Sequence, residues 1–172
     1  DRLSKEATKI QAVNTIVWDS YGKTIGHNTD HIGFEKALLE FMKKKPTKVL
    51  ILGTGGASSA VKFVLEKLGS RYQFVSRKPK KNQISYDQLT KNHIIRTDLI
   101  VNTTPLGTFP KTKEFPPLPY KYLNTNHFLF DLIYNPNETE FLRKGKFQGA
   151  KICNGYKMLV YQAEKSWELW NQ

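Results

Sequence analysis

The amino-acid sequence predicts an α/β protein built on a doubly wound parallel sheet, and three observations predict it. Short apolar runs recur along the chain, at 48–53 (KVLILG), 72–76 (YQFVS), 98–102 (DLIVN), 127–133 (HFLFDLI) and 150–154 (AKICN). Segments with helical spacing of apolar residues lie between them, the alternation that parallel strands with crossover helices require. A glycine-rich turn, GTGGASSA at 53–60, joins the first of these runs to the helix after it.

The elements follow in order. Residues 13–18 and 23–27 are β-prone and flank Asp19-Ser20-Tyr21-Gly22, which predicts a hairpin closed by a glycine-containing turn. From Phe34 the apolar positions Ala37, Leu38, Phe41 and Met42 have helical spacing, and Pro46 ends the pattern. The texture then changes near 45–47. Residues 48–53 read as a buried strand, 57–68 as a helix closed by Gly69, and 72–76 as a second strand. A short helix is expected over 84–92, a third strand over 98–102, and a proline-rich loop over 105–119. A fourth strand follows at 127–133, a helix at 138–146, a fifth strand at 150–154 and a last helix from 156 to 170.

Composition narrows the function classes. No segment approaches the roughly 18 continuous apolar residues of a membrane span, so no membrane role is expected. The single cysteine, Cys153, allows no intrachain disulfide, which fits a reducing cytoplasm. The four histidines have no ligand spacing, and no metal site is expected. The net charge of +12 suits an anionic partner, yet runs such as Lys78-Pro79-Lys80-Lys81 carry no interleaved aromatics or reading motif. The runs outside 77–81 read as solvated loop and helix-end charges, and at 77–81 a small anionic ligand is expected rather than nucleic acid. The chain opens at Asp1 without a methionine, as expected of a piece of a longer protein or of one from which something was removed.

The glycine loop says what that ligand is. Gly53 permits a tight turn at the end of a parallel strand, and Gly55 lets backbone approach a ligand without a Cβ in the way. Gly56 and Ala57 open a helix whose free N–H groups and positive dipole end suit a phosphate. The spacing is G-x-G-G, with Ser58 where the third glycine of a dinucleotide fingerprint would fall. NAD-binding units place a carboxylate on the ribose at the end of their second strand. Here that strand runs into Ser76-Arg77-Lys78, which repels nothing and offers a guanidinium and an ammonium to a 2′-phosphate. NADP is the expected cofactor.

Six stretches together resemble the shikimate/quinate dehydrogenase family: AVNTI (12–16), NTDHIGF (28–34), GTGGASSA (53–60), VNTTPLG (101–107), DLIYNPNET (131–139) and GYKMLVYQA (155–163). The resemblance implies a Rossmann-like domain within a two-domain, cytoplasmic enzyme. Its activity would be NADP-dependent reduction of 3-dehydroshikimate to shikimate, in the chorismate branch of aromatic amino-acid biosynthesis. It also implies a division into a substrate-domain remnant (1–29), a linking helix (30–45), the NADP-binding domain (46–154) and a helix returning toward the substrate domain (155–172). By the same resemblance Asp30 is catalytic, and Asn14, Asp30, Tyr134 and Gln162 contact substrate. Gly53, Thr54, Gly55, Gly56, Ala57, Ser76, Arg77, Lys78, Thr103, Thr104, Leu132 and Gly155 would hold the cofactor. Two departures bear on the choice between shikimate, quinate and related polyols: His31 stands where the family has glycine, and Thr108 where it has methionine.

Read as residues alone, these positions keep a second reading. Asn28, Thr29 or Asp30 could be a helix cap. Gln162 lies in a helical stripe with Leu159, Ala163, Trp167 and Trp170, where an amide must find partners from the protein or a ligand. Asn14 could be an edge polar residue, and Tyr134 could pack beside Pro136. No stretch matches the family's catalytic lysine, since Lys5 and Lys9 lie in another context. The chain is expected to bind NADP and, being catalytically incomplete, not to turn over, and an exposed apolar face on residues 1–29 can drive self-association. Another NADP-dependent oxidoreductase with a G-x-G-G loop, of the methylene-tetrahydrofolate or glutamyl-tRNA reductase type, is the alternative.

Overall fold

A computed structural model describes residues 2–172. The first strand of the large sheet shows why the chain folds as it does. Val49 and Ile51 point to one face and Leu50 and Leu52 to the other, all four buried. A strand apolar on both sides must be covered on both sides.

The chain begins with β1 (Arg2–Leu3), α1 (Lys5–Ile10), β2 (Thr15–Trp18) and β3 (Thr24–His27). β2 and β3 form the expected antiparallel hairpin, and β1 adds to β3 in parallel. Residues 2–29 thus form a three-stranded sheet with a helix rather than a lone hairpin. β1 has two residues and α1 six, too few for a period to show. Ser4 caps α1 by accepting the Ala7 N–H at 3.1 Å, and Ala7 and Ile10 bury its inner face.

Helix α2 (Asp30–Met42) buries Phe34, Ala37, Leu38 and Met42 and stops at Lys43, in the left-handed region. Then come β4 (Lys48–Leu52), α3 (Gly56–Leu68), β5 (Arg71–Val75), β6 (Gln83–Ile84), α4 (Lys91–Ile95), β7 (Leu99–Asn102), β8 (Phe128–Asp131), α5 (Glu140–Phe147), β9 (Lys151–Cys153) and α6 (Tyr156–Trp170). The six-stranded sheet is parallel throughout, in the order β6-β5-β4-β7-β8-β9. That is the doubly wound arrangement, with its topological switch point between β4 and β7. One face packs Phe34, Val61, Leu65, Val101 and Phe130, and the other Leu89, Ile94, Ile100, Phe141 and Leu142.

Two sequence expectations need correction. Residues 84–92 are not one helix. Gln83 and Ile84 pair with Phe74 and Val75, and two capping boxes, Ser85 with Gln88 and Thr90 with His93, then start separate short turns. The stripe proposed on the last helix is also wrong, because Trp167 and Trp170 are exposed. The face that packs carries Met158, Gln162 and Ser166. It lies against α2, where Gly33 lets the helices touch: a Cβ there would overlap the Met158 carbonyl oxygen.

Candidate functional site

At the end of β4 the backbone runs out of partners. Gly53 N–H still bonds Val75 O at 2.9 Å, and the first bond of α3 is Ser58 N–H to Gly55 O at 3.1 Å. Between them the amides of Thr54, Gly55, Gly56 and Ala57 find no acceptor among the described residues. Gly53 takes φ +104, which L side chains rarely adopt, and a Cβ there would come 2.8 Å from Thr103 Oγ1. At Gly55 a Cβ would meet nothing within 4 Å. Unpaired donors beside open space, at the positive end of a helix, form an anion cradle.

That cradle is one wall of a cavity of about 220 Å³ lined by Gly53, Thr54, Gly55, Ser76, Arg77, Tyr86, Thr103, Thr104, Pro105 and Leu106. It lies at the carboxyl ends of β4, β5 and β7, over the switch point. The exposed Arg77 guanidinium, at its β5 side, has no acid partner among the described residues. Of the cofactor positions named from the sequence, Gly53, Thr54, Gly55, Ser76, Arg77, Thr103 and Thr104 meet here. Gly56, Ala57, Lys78, Leu132 and Gly155 do not line it. Lys78 is exposed beyond Ser76, whose Oγ accepts its N–H at 3.2 Å. Gly155 packs on the β8 loop, where a Cβ would overlap the Leu132 carbonyl oxygen. A larger hollow of about 580 Å³ between α1 and α3, lined in part by Lys9, Phe63 and Lys67, has no such set of free amides.

A second cluster gathers the substrate positions. Asn14 Nδ2 donates to Asp30 Oδ1 at 2.9 Å and to Thr29 Oγ1 at 3.0 Å. The Thr29 hydroxyl reaches Gln162 Oε1 at 3.2 Å and Ser166 Oγ at 3.0 Å, and Ser166 Oγ lies 2.7 Å from Thr15 Oγ1. Three of the four substrate candidates are therefore joined through Thr29. Tyr134, half exposed on the loop after β8, makes no hydrogen bond to the cluster. Burial pushes the Asp30 carboxyl above its usual range, opposed by the Asn14 donor and by the charge of neighbouring His31. No lysine bonds Asp30 among the described residues. Gln162 gives one N–H to Leu159 O at 3.0 Å, which leaves its other amide hydrogen for a ligand. Ala12 approaches the start of α3, its Cβ 4.0 Å from the point where a Cβ on Gly56 would sit.

Sequence reasoning missed Tyr86, Pro105 and Leu106 in the cavity wall, and Thr29 and Ser166 at the hub of the second cluster. Ser166 carried a signal, one turn beyond Gln162. Tyr86 carried none, because its position depends on the short strand β6.

No protein-family model matches the chain. Its relatives do match. It is 42% identical over 185 residues to the shikimate dehydrogenase (NADP(+)) of Methanococcus maripaludis, covering 99% of this chain and 66% of that protein. The chain belongs to the shikimate dehydrogenase family. Two family crystal structures superpose on it. A chorismate mutase/shikimate 5-dehydrogenase fusion protein from Clostridium acetobutylicum has a TM-score of 0.86 at 39% identity, over 99% of this chain and 64% of that one. The Thermus thermophilus shikimate 5-dehydrogenase, solved with NADP(H) and shikimate, has 0.83 at 32%, over 99% and 66%. The chain thus spans just under two thirds of the length of these relatives.

Proposed function

We propose that this chain binds NADP in the β4–β5–β7 cleft and forms part of an enzyme that reduces 3-dehydroshikimate to shikimate in the cytoplasm. One observation carries the reading: of four consecutive backbone amides without an acceptor, at residues 54–57, those of Thr54 and Gly55 belong to the wall of a cavity at the switch point of a doubly wound sheet, and Arg77, with no acid partner among the described residues, lines the same cavity. The amides match a pyrophosphate, and Arg77 with Ser76 matches the 2′-phosphate that distinguishes NADP from NAD. Bound NADPH supplies the hydride. Asn14, Asp30, Gln162 and Tyr134 are the groups that would hold the polyol, and residues 1–29 belong to the substrate-binding unit. Residues 30–45 link it to the NADP-binding domain (46–154), and residues 155–172 return toward it.

A ketone accepting hydride also needs a proton at its oxygen. Among the described residues Asp30 is the only acid in the second cluster and has no lysine bonded to it; burial shifts its carboxyl toward the protonated form. A missing proton donor typically lowers rates by roughly 10²–10⁴-fold, so these 172 residues are expected to bind cofactor well and not to sustain turnover. The open side of the small sheet, with Leu3, Val13, Ile16 and Trp18 exposed, is the surface through which the chain would self-associate.

Calorimetric titration of the chain with NADP and NAD, alone and as Arg77→Ala, tests the cofactor reading. NADP should bind at least about tenfold more tightly than NAD, and Arg77→Ala should remove roughly 10- to 100-fold of NADP affinity, as expected for hydrogen bonds between charged groups. Equal affinity for the two dinucleotides, or an unaffected Arg77→Ala, would overturn it.

A further inference from the structure

The large sheet buries two polar side chains side by side near its centre. Asn102 and Asp131 end β7 and β8, pair in register, and are both fully buried. Three donors converge on the carboxylate: Asn102 Nδ2 at 3.0 Å and Ile133 N–H at 3.1 Å on Oδ1, and Thr139 Oγ1 at 2.5 Å on Oδ2. An ionised carboxylate only accepts, so it turns the Asn102 amide nitrogen toward itself and the amide oxygen away. That oxygen collects Thr104 N–H at 3.0 Å and the Thr104 hydroxyl at 2.7 Å. The hydroxyl in turn accepts Leu106 N–H at 3.3 Å. Thr104 and Leu106 both line the dinucleotide cleft. On its other side the carboxylate fixes the start of the loop carrying Tyr134 and the Thr139 cap of α5.

We propose that Asp131 is a positioning residue: by fixing the Asn102 amide it holds Thr104 and Leu106 in the form that receives the dinucleotide. The proposal rests on the NADP reading above. A structural role alone explains the residue poorly. No cation pairs with Asp131 among the described residues, and a buried carboxylate without one opposes folding. Burial pushes its pKa up to about 6 and so works against the charged form that its three donors favour. The titrating neighbour that feels this charge is the Tyr120 hydroxyl, pushed up first by burial and then by Asp131. A carboxylate held at this disadvantage, with Thr104 and Leu106 at the end of its hydrogen-bond chain, is what a site preorganised for a ligand requires.

Asp131→Asn separates the two roles, because the neutral amide keeps the volume and loses the acceptor-only character. At pH 7.5 its melting temperature should lie within about 2 °C of wild type or above it. Its Kd for NADP should rise roughly 5- to 20-fold. The exchange variant Asn102→Asp/Asp131→Asn puts an acceptor-only group under Thr104 and should restore the affinity to within about threefold. A lower melting temperature with unchanged Kd would make the role structural and overturn the proposal. So would an exchange variant that folds yet binds about tenfold or more weakly, which keeps the proposal testable if Asp131→Asn alone does not fold. Wild-type chain that binds no NADP would overturn the cofactor reading and this one together.

Discussion

His31, next to Asp30 at the start of α2, shows how one side chain links the candidate site to stability. The ring is buried edge-on against Phe63, centroids 5.2 Å apart, and its Nδ1 has no hydrogen-bond partner. Burial lowers its pKa, against the backbone of Asn28 and the charges of Glu6 and Glu35, while Lys67 acts with burial. The sign follows from linkage. The unfolded chain protonates its histidine near pH 6.5, while the folded ring stays neutral to lower pH. The stability this contributes is complete above pH 6.5 and is lost as pH falls from there toward the folded value. Wild-type chain should therefore lose more melting temperature between pH 7.5 and 5.5 than His31→Gln, which cannot titrate. Parallel pH profiles for the two proteins would refute the assignment. A glycine here, as in the resembling family, would carry no such dependence.

At the scale of elements, the crossing of α2 and α6 brings the second cluster together. Gly33 opposes the Met158 carbonyl and Gln162, and one turn before it Thr29 meets Gln162 and Ser166. Gly33→Ala should force the helices apart, destabilise by about 1–3 kcal/mol as overpacked interiors do, and lower the melting temperature by roughly 2–12 °C for a chain of this size. An unchanged melting temperature would mean the crossing is looser than described. The sequence made most elements legible because a strand such as KVLIL is apolar on both faces and Gly69 stops α3 in the left-handed region, φ +74. It did not reveal β1 or β6, two residues each, whose strand character comes from the partner strand. It also misplaced the buried side of α6, because four apolar residues at helical spacing, Leu159, Ala163, Trp167 and Trp170, outweighed Met158 and Ser166. Side-chain hydrophobicity predicts burial only where another element is present to cover it.

For the whole molecule, two sheets are joined by α2 and by the return of α6, whose Trp170 Nε1 donates to Ile16 O at 3.0 Å on the small sheet. Ala12, two residues before Asn14, comes close to the glycine loop, its Cβ 4.0 Å from where a Cβ on Gly56 would sit. The excess of cations suits a dinucleotide by raising its local concentration. The glycine loop and Arg77 were legible in the sequence because each is a local backbone or charge signal. The hub residues Thr29, Ser166 and Asp131 were not, because their roles arise from neighbours distant in sequence. The most direct test of the central claim is a crystal of this chain soaked with NADP. The account predicts the pyrophosphate on the amides of residues 54–57 and the 2′-phosphate within hydrogen-bonding distance of the Arg77 guanidinium; density for the dinucleotide elsewhere, or Arg77 turned away from the phosphate, would contradict it.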